Sequence, residues 1–214
     1  MDLDISKLKQ FVLTNDDYRT KLGMPKSGEN ADVYFLDNAA VKCERTNKTQ
    51  RPTVEKYIER SQLGVKRGIN IVPILDYAEK QEKYRTEFKF DNCSLTTFSF
   101  MPKVDGLVIG EDGSLDKLLA LGVNGFKKFF EDYIDLHAIG FFTDTNPKNF
   151  IIGDKCISFI DLYVDKEIKG AIEPDDLHIF LKGAMNIILL KYKSQELRHN
   201  ITRASCKFLD DRGL

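Results

Sequence analysis

The chain has 214 residues, enough for one domain or two small lobes, and its 42% hydrophobic, 30% charged and 11% aromatic composition is that of an ordinary globular protein. Thirty-two Lys and Arg against thirty-three Asp and Glu leave a net charge of −1, which argues against a general nucleic-acid binder with its basic stripe. Four scattered cysteines without C-x-x-C, three histidines without H-x-x-x-H, no apolar run of membrane-spanning length and an opening MDLDISKLKQ unlike a signal peptide argue against four further classes: disulfide scaffold, histidine metal site, membrane span and signal-peptide precursor.

Taken in chain order, Ile5, Leu8, Phe11 and Val12 recur at helical spacing behind a possible Asp2 or Asp4 cap. Residues 31–36 and 39–43 read as two strands around a tight Asp37-Asn38 turn. A helix is expected over 53–63, capped by Thr53 behind Pro52, then a strand over 70–77 and a hairpin within 84–101 that uses Phe88, Phe90 and Thr97 to Met101. Three glycines and three acids between Lys103 and Ser114 mark a hinge. Beyond it, Leu115 to His137 carries apolar residues at three- and four-residue steps, the pattern of an amphipathic helix pair. Residues 177–192 are apolar almost all round, which predicts a buried helix capped by Asp175 or Asp176. Strands first and helices second make this an α+β protein with a sheet lobe and a helical lobe.

The chemistry concentrates between His137 and Tyr163. A helix ends near Gly140, a polar loop follows, and two short apolar strands joined at Gly153-Asp154 lead to a further aspartate. Asp144, Asn149 and Asp161 then surround the mouth of one hairpin. Two carboxylates and an amide suit a hard divalent cation plus one base, because Mg²⁺ takes oxygen ligands and keeps water. A plain hairpin with turn-forming Asp and Asn is the alternative.

Several of these segments resemble the protein-kinase superfamily. Asp144-Thr-Asn-Pro-Lys-Asn149 is similar to the catalytic loop, in which Asp and Asn stand five apart, and Asp161-Leu-Tyr is similar to D-F-G. Leu136-His137 and Gly140 resemble the L-H-x-x-G approach to that loop. Ala40-Val-Lys42 resembles the lysine strand, and Gly28-Glu-Asn-Ala31-Asp-Val33 the rear half of the glycine-rich lid. Asn70 to Tyr77 resembles the strand after the helix that carries the lysine's glutamate, here Glu59, with Glu55 one turn earlier as its rival. The resemblance implies a bilobal protein-kinase-like fold. Residues 1–102 would form an antiparallel-sheet N-lobe with a helical extension, and 103–214 a reduced helical C-lobe.

It also implies roles. Lys42, braced by Glu59, would hold the ATP phosphates under a lid of Gly28, Ala31 and Val33. Met101 and Lys103 would offer backbone groups to adenine, and Lys148 would reach the γ-phosphate. Asn149 and Asp161 would ligate Mg²⁺, and Asp144 would act as the catalytic base. The departures matter too. Lys26 and Ala31 replace two lid glycines, Phe142-Thr143 replaces His-Arg before the catalytic aspartate, and Leu162-Tyr163 replaces Phe-Gly. Without that arginine, and without Ser or Thr between Tyr163 and Pro174, activation by a loop phosphate is not expected. Such brevity resembles minimal bacterial effector kinases and compact small-molecule kinases. The expected function is a constitutively active protein kinase, monomeric and cytoplasmic, or acting in a host cytoplasm on a signalling protein or chaperone. A small-molecule kinase resembling the aminoglycoside phosphotransferases and a pseudokinase binding module are the alternatives. Neither nucleic acid nor membrane is an expected partner.

Overall fold

A computed structural model describes residues 4–27, 31–46, 49, 51–84, 92–142, 146–164 and 174–213. The described chain is α+β and divides into two compact units, 1–59 with 73–103, and 60–72 with 104–214. The 60–72 stretch therefore belongs with the second unit although it precedes the 102/103 boundary in sequence.

The first unit is an antiparallel five-stranded sheet in the order β1-β2-β3-β5-β4, built from β1 (Lys26–Ser27), β2 (Ala31–Phe35), β3 (Ala39–Thr46), β4 (Asp76–Tyr84) and β5 (Asn92–Pro102). The tight turn read at Asp37-Asn38 is present, closed by the Leu36 N–H donating to the Ala39 carbonyl at 2.8 Å. Two helices cover one face, α1 (Ile5–Thr14) and α2 (Tyr18–Leu22). Asp4 caps α1, accepting from the Lys7 N–H at 3.0 Å. Such a cap contributes roughly 1 kcal/mol. Val12, Tyr18 and Leu22 pack on Val41, Cys43, Phe98 and Phe100, the inward-facing residues of the central strands.

Three expectations for this region need correcting. Helix α3 (Arg51–Lys66) starts two residues before Thr53, so Thr53 lies in its first turn rather than at its cap, and the Arg51 N–H donates to the Thr49 hydroxyl at 3.2 Å. Pro52 is tolerated there because first-turn N–H groups lack helical partners anyway. The strand expected over 70–77 begins only at Asp76, downstream of Pro73, and runs to Tyr84. The hairpin therefore pairs 76–84 with 92–102, while Phe88 and Phe90 lie outside the described residues.

In the second unit, α4 (Ser114–Ala138) is the expected helix pair. Gly122, at φ 58° and ψ −168°, breaks it into two segments. Against it pack α5 (Pro174–Leu189) and α6 (Gln195–Asp210). The hinge stretch is not free chain, since β6 (Leu107–Val108) pairs with β8 (Phe150–Ile152), which pairs with β9 (Ile157–Phe159). Gly106 permits this, because a Cβ there would lie 2.5 Å from the Ile152 carbonyl oxygen. Helix α5 is not buried all round: Leu177, Leu181, Ala184, Ile187 and Ile188 face inward, but Ile179 is 69% exposed. Helix α6 was not foreseen, although Leu197, Ile201, Ala204 and Phe208 form its buried stripe and Ser194 caps it.

Candidate active site

Each unit places part of the expected constellation. In the first, β3 buries Val41 and Cys43 and turns Lys42 to the other face, opposite Val33 of β2. Lys42 Nζ lies 3.0 Å from a Glu44 carboxylate oxygen, two residues along the same face, with the side chains 18% and 32% exposed. Glu44 is a partner of Lys42 that was not named from sequence. Glu59 stands exposed on α3. Glu55 is engaged elsewhere, accepting from the Arg51 Nε and the Tyr77 hydroxyl at 2.9 Å each. Those two donors hold its carboxyl below the usual carboxylate range.

Ala31 and Val33 are half-buried on β2, while Gly28 lies outside the described residues. Met101 is half-buried opposite Ala40. The Lys103 N–H donates to the Asn38 carbonyl at 3.1 Å, and Pro102 has none to offer, so that stretch has fewer free donors than a hinge would use.

In the second unit, the β8–β9 hairpin rests on Phe150 and Phe159, paired across the ladder and both fully buried. A 3-10 turn, Pro147–Asn149, enters it, with the Asn146 side chain accepting from the Lys148 N–H at 3.1 Å. The Ile160 N–H donates to the Asn149 carbonyl at 2.9 Å. That bond sets Asn149 beside the residue preceding Asp161, the juxtaposition expected from sequence. Next, β10 (Tyr163–Val164) pairs with β7 (Phe141–Phe142).

The chain must leave β9 and enter β10 within a few residues while burying Leu162. It does so through Asp161, which is exposed and has φ 53°, the one non-glycine residue with positive φ among those described. Most residues other than glycine pay of order 1–2 kcal/mol for a left-handed backbone, Asp and Asn less, and such positions cluster at functional sites. Asp144 lies outside the described residues, whereas its chain neighbours Phe142 and Asn146 belong to β7 and to the cap of the 3-10 turn. Lys148 is exposed at that turn.

The donor chemistry fits Mg²⁺. Asp161 and Asn149 supply a carboxylate and an amide oxygen, a sparse hard set that leaves room for water. No group of three or more His, Cys, Asp or Glu able to hold a metal exists among the described residues, so a zinc-type site is not indicated there.

Sequence reading missed the supports behind this mouth. Arg60, 7% exposed, donates to the carbonyl of Gly140, just ahead of β7. Asp132, fully buried, accepts from the Asn70 side chain at 2.7 Å and from Lys128; burial pushes its carboxyl up while those partners oppose the shift. A carboxylate within the apolar stripe Phe129-Phe130-Tyr133 was the available signal. His137 is a core histidine, its ring 4.5 Å from that of Phe180 and 5.0 Å from that of Tyr133.

No protein-family model matches the chain, and a comparison with curated proteins finds no match. Among solved structures it is similar to a Legionella pneumophila kinase, Lpg2603, bound to IP6. That pair has 16% identity and TM-score 0.41, covering 84% of this chain and 59% of the other. The bifunctional kinase-methyltransferase WbdD matches at 11% identity and TM-score 0.44, over 86% and 43% of the two chains. The choline kinase LicA from Streptococcus pneumoniae matches at 7% and 0.29, over 95% and 99%. The chain thus spans less than two thirds of the first two. In its own element order the described chain runs from a strand hairpin through the strand that carries Lys42, a helix and the rest of an antiparallel sheet to a helical unit containing the β8–β9 hairpin. No helix among the described residues is long and apolar enough to cross a membrane.

Proposed function

We propose that the protein is an ATP- and Mg²⁺-dependent phosphotransferase whose acceptor is a protein hydroxyl. The observation that carries this reading is Asp161: an exposed carboxylate held at positive φ, one residue beyond the Ile160 N–H that bonds Asn149. Glycine would adopt such a backbone at lower cost but would bring no carboxylate to this position.

Phosphoryl transfer passes through a loose transition state, so positioning and charge neutralisation account for most of its catalysis. In this reading Lys42 holds the phosphates of ATP, leaving Glu44 to engage them. Asp161 and Asn149 hold Mg²⁺, which when bound neutralises charge on the β- and γ-phosphates. Asp144 orients the acceptor hydroxyl and accepts its proton. The acceptor oxygen forms the new bond to the γ-phosphorus, the bond to the β–γ bridging oxygen breaks, and ADP leaves with those electrons. A positioned base of this kind typically contributes 10²–10⁴-fold.

Incubation of the full chain with γ-labelled ATP, Mg²⁺ and a cell lysate tests the proposal. Labelled protein bands that vanish with Asp144→Asn, while nucleotide binding survives, are expected. Label confined to metabolites would transfer the reading to a small-molecule kinase, and nucleotide binding without turnover would leave a binding module.

A further inference from the structure

The second unit carries an open groove of about 340 Å³ lined by Pro147, Gly183, Asn186, Ile187, Leu190 and Lys191. One wall is α5 and its C-terminal end, since 183, 186, 187 and 190 follow one another at helical spacing on a single face. Gly183 keeps the floor low, and a Cβ there would already lie 3.3 Å from the Tyr133 hydroxyl. The other wall is Pro147, three residues beyond Asp144 in the chain. Leu190, at the rim, is 84% exposed, a large apolar side chain that the unit leaves uncovered.

Three lysines stand on or beside the groove. Lys191 lines it, Lys182 stands one turn before Asn186 on α5, and Lys193 follows two residues after Lys191; all three are exposed. Among the described residues none of the three is in an ion pair, whereas Lys117, Lys127 and Lys128 on α4 each meet a carboxylate within 3.1 Å. Unpaired lysines around an apolar floor are complementary to a ligand that has both apolar and acidic groups.

We infer that this groove docks a short acidic and apolar segment of the protein substrate. An apolar side chain would cover Leu190 above the buried Ile187, and Asp or Glu residues would face Lys182, Lys191 and Lys193. The inference rests on the phosphotransferase reading and deepens it, because a docking groove on the unit that carries the catalytic loop selects protein acceptors over small metabolites. A compact polyanion would satisfy the lysines but leave Leu190 in water, so the apolar floor favours the peptide.

The test measures binding to the full chain, without ATP, by anisotropy of a labelled peptide of about ten residues alternating Leu with Glu and Asp. Controls replace the acids with Lys or the leucines with Ser. The inference expects binding of the first peptide alone, weakened about tenfold by Leu190→Asp and by the pair Lys182→Glu/Lys191→Glu, and weakened further as salt rises from about 50 to 300 mM. Melting temperatures should not move, since the three replaced side chains are exposed. Equal binding of the lysine peptide, indifference to Leu190→Asp, absence of peptide binding, or tripolyphosphate binding on the same lysines without peptide binding would overturn it. Nucleotide binding is titrated on the same proteins. Its absence in a chain that still binds peptide sinks the phosphotransferase reading and leaves the groove standing. Nucleotide binding and transfer without peptide binding sink the groove alone.

Discussion

Lys42 and Asp161 are presented by their units in different ways. Lys42 sits in the middle of an antiparallel ladder, with Val33 and Ser99 opposite it on the flanking strands and its direction set by the burial of Val41 and Cys43 on the other face. Asp161 belongs to no strand, and its direction comes from a left-handed backbone step between β9 and β10. In the first case packing supplies the geometry and the head group can change at small cost. In the second the backbone conformation sets the direction, and under the proposed function the exposed carboxylate would be the reason for keeping an aspartate there.

The largest expected effect tests that contrast directly. Asp161→Ala should lower phosphoryl transfer about 10³-fold, roughly 4 kcal/mol in the barrier, with stability changed by less than about 1 kcal/mol because the side chain is exposed. Asp161→Gly should be equally inactive yet more stable than Asp161→Ala by about 1 kcal/mol, since glycine relieves the positive φ. Urea unfolding and turnover on the pair decide it. Normal turnover in either variant removes Asp161 from the metal site, and equal stabilities would remove the strain.

A second prediction moves from the mouth to its foundation. Phe129 stacks on Phe159 at 5.5 Å and meets Phe150 edge-on at 6.0 Å, joining α4 to both strands of the hairpin. Phe129→Ala should cost about 3–5 kcal/mol by denaturant unfolding, because it opens a cavity under the strands that deliver Asn149 and Asp161. A loss below 1 kcal/mol would mean that the hairpin does not depend on this stack.

The same contrast explains what could be read from sequence. Regular periodicity revealed β2, β3, α1, the α4 pair and the short apolar strands around Gly153, because burial of one face leaves a period in the residue types. Chain order placed Asn149 next to Asp161 before any coordinates, since a hairpin forces its ends together. Long-range polar contacts leave no period. The Arg60 bond to Gly140 and the Asp132–Asn70 bonds depend on which segments meet in space. Helix α5 misled because an apolar residue count says nothing about which neighbours exist to cover Ile179 and Leu190. The 70–77 segment misled because Ile71, Val72 and Ile74 are buried in an irregular strap whose ladder pairing is an isolated bridge from Ile71 to Phe159 rather than a strand.

A third prediction concerns the packed face of the first unit. Burial pushes the Cys43 thiol from 9.0 up to about 12, with Arg19 opposing the shift. The folded value lies above the unfolded one, so the neutral thiol's contribution is fully present below pH 9 and lost as pH rises toward 12. The slope is about 1.4 kcal/mol per pH unit. The stability of the native protein relative to Cys43→Ala should therefore fall by about 2 kcal/mol between pH 8 and pH 10.5, measured by urea unfolding of both. A pH-independent gap would show that the thiol ionises as readily in the sheet as in the unfolded chain.

The smallest effect is expected at the exposed face of the same strand. The Lys42–Glu44 pair is partly solvated, so Glu44→Gln should change stability by less than about 1 kcal/mol. Its effect on nucleotide is the informative one. If Glu44 holds Lys42 only until phosphate arrives, removing its charge removes one competitor for the ammonium and should tighten ATP binding about three- to fivefold, a gain that salt reduces. Glu59→Gln should do the reverse if that residue braces the lysine once nucleotide is bound. Glu55→Gln should change neither, because Glu55 serves Arg51 and Tyr77. Isothermal titration of the three variants ranks them. Weaker ATP binding in Glu44→Gln, with Glu59→Gln silent, would make Glu44 the working partner of Lys42 and transfer the brace from the helix to the strand itself.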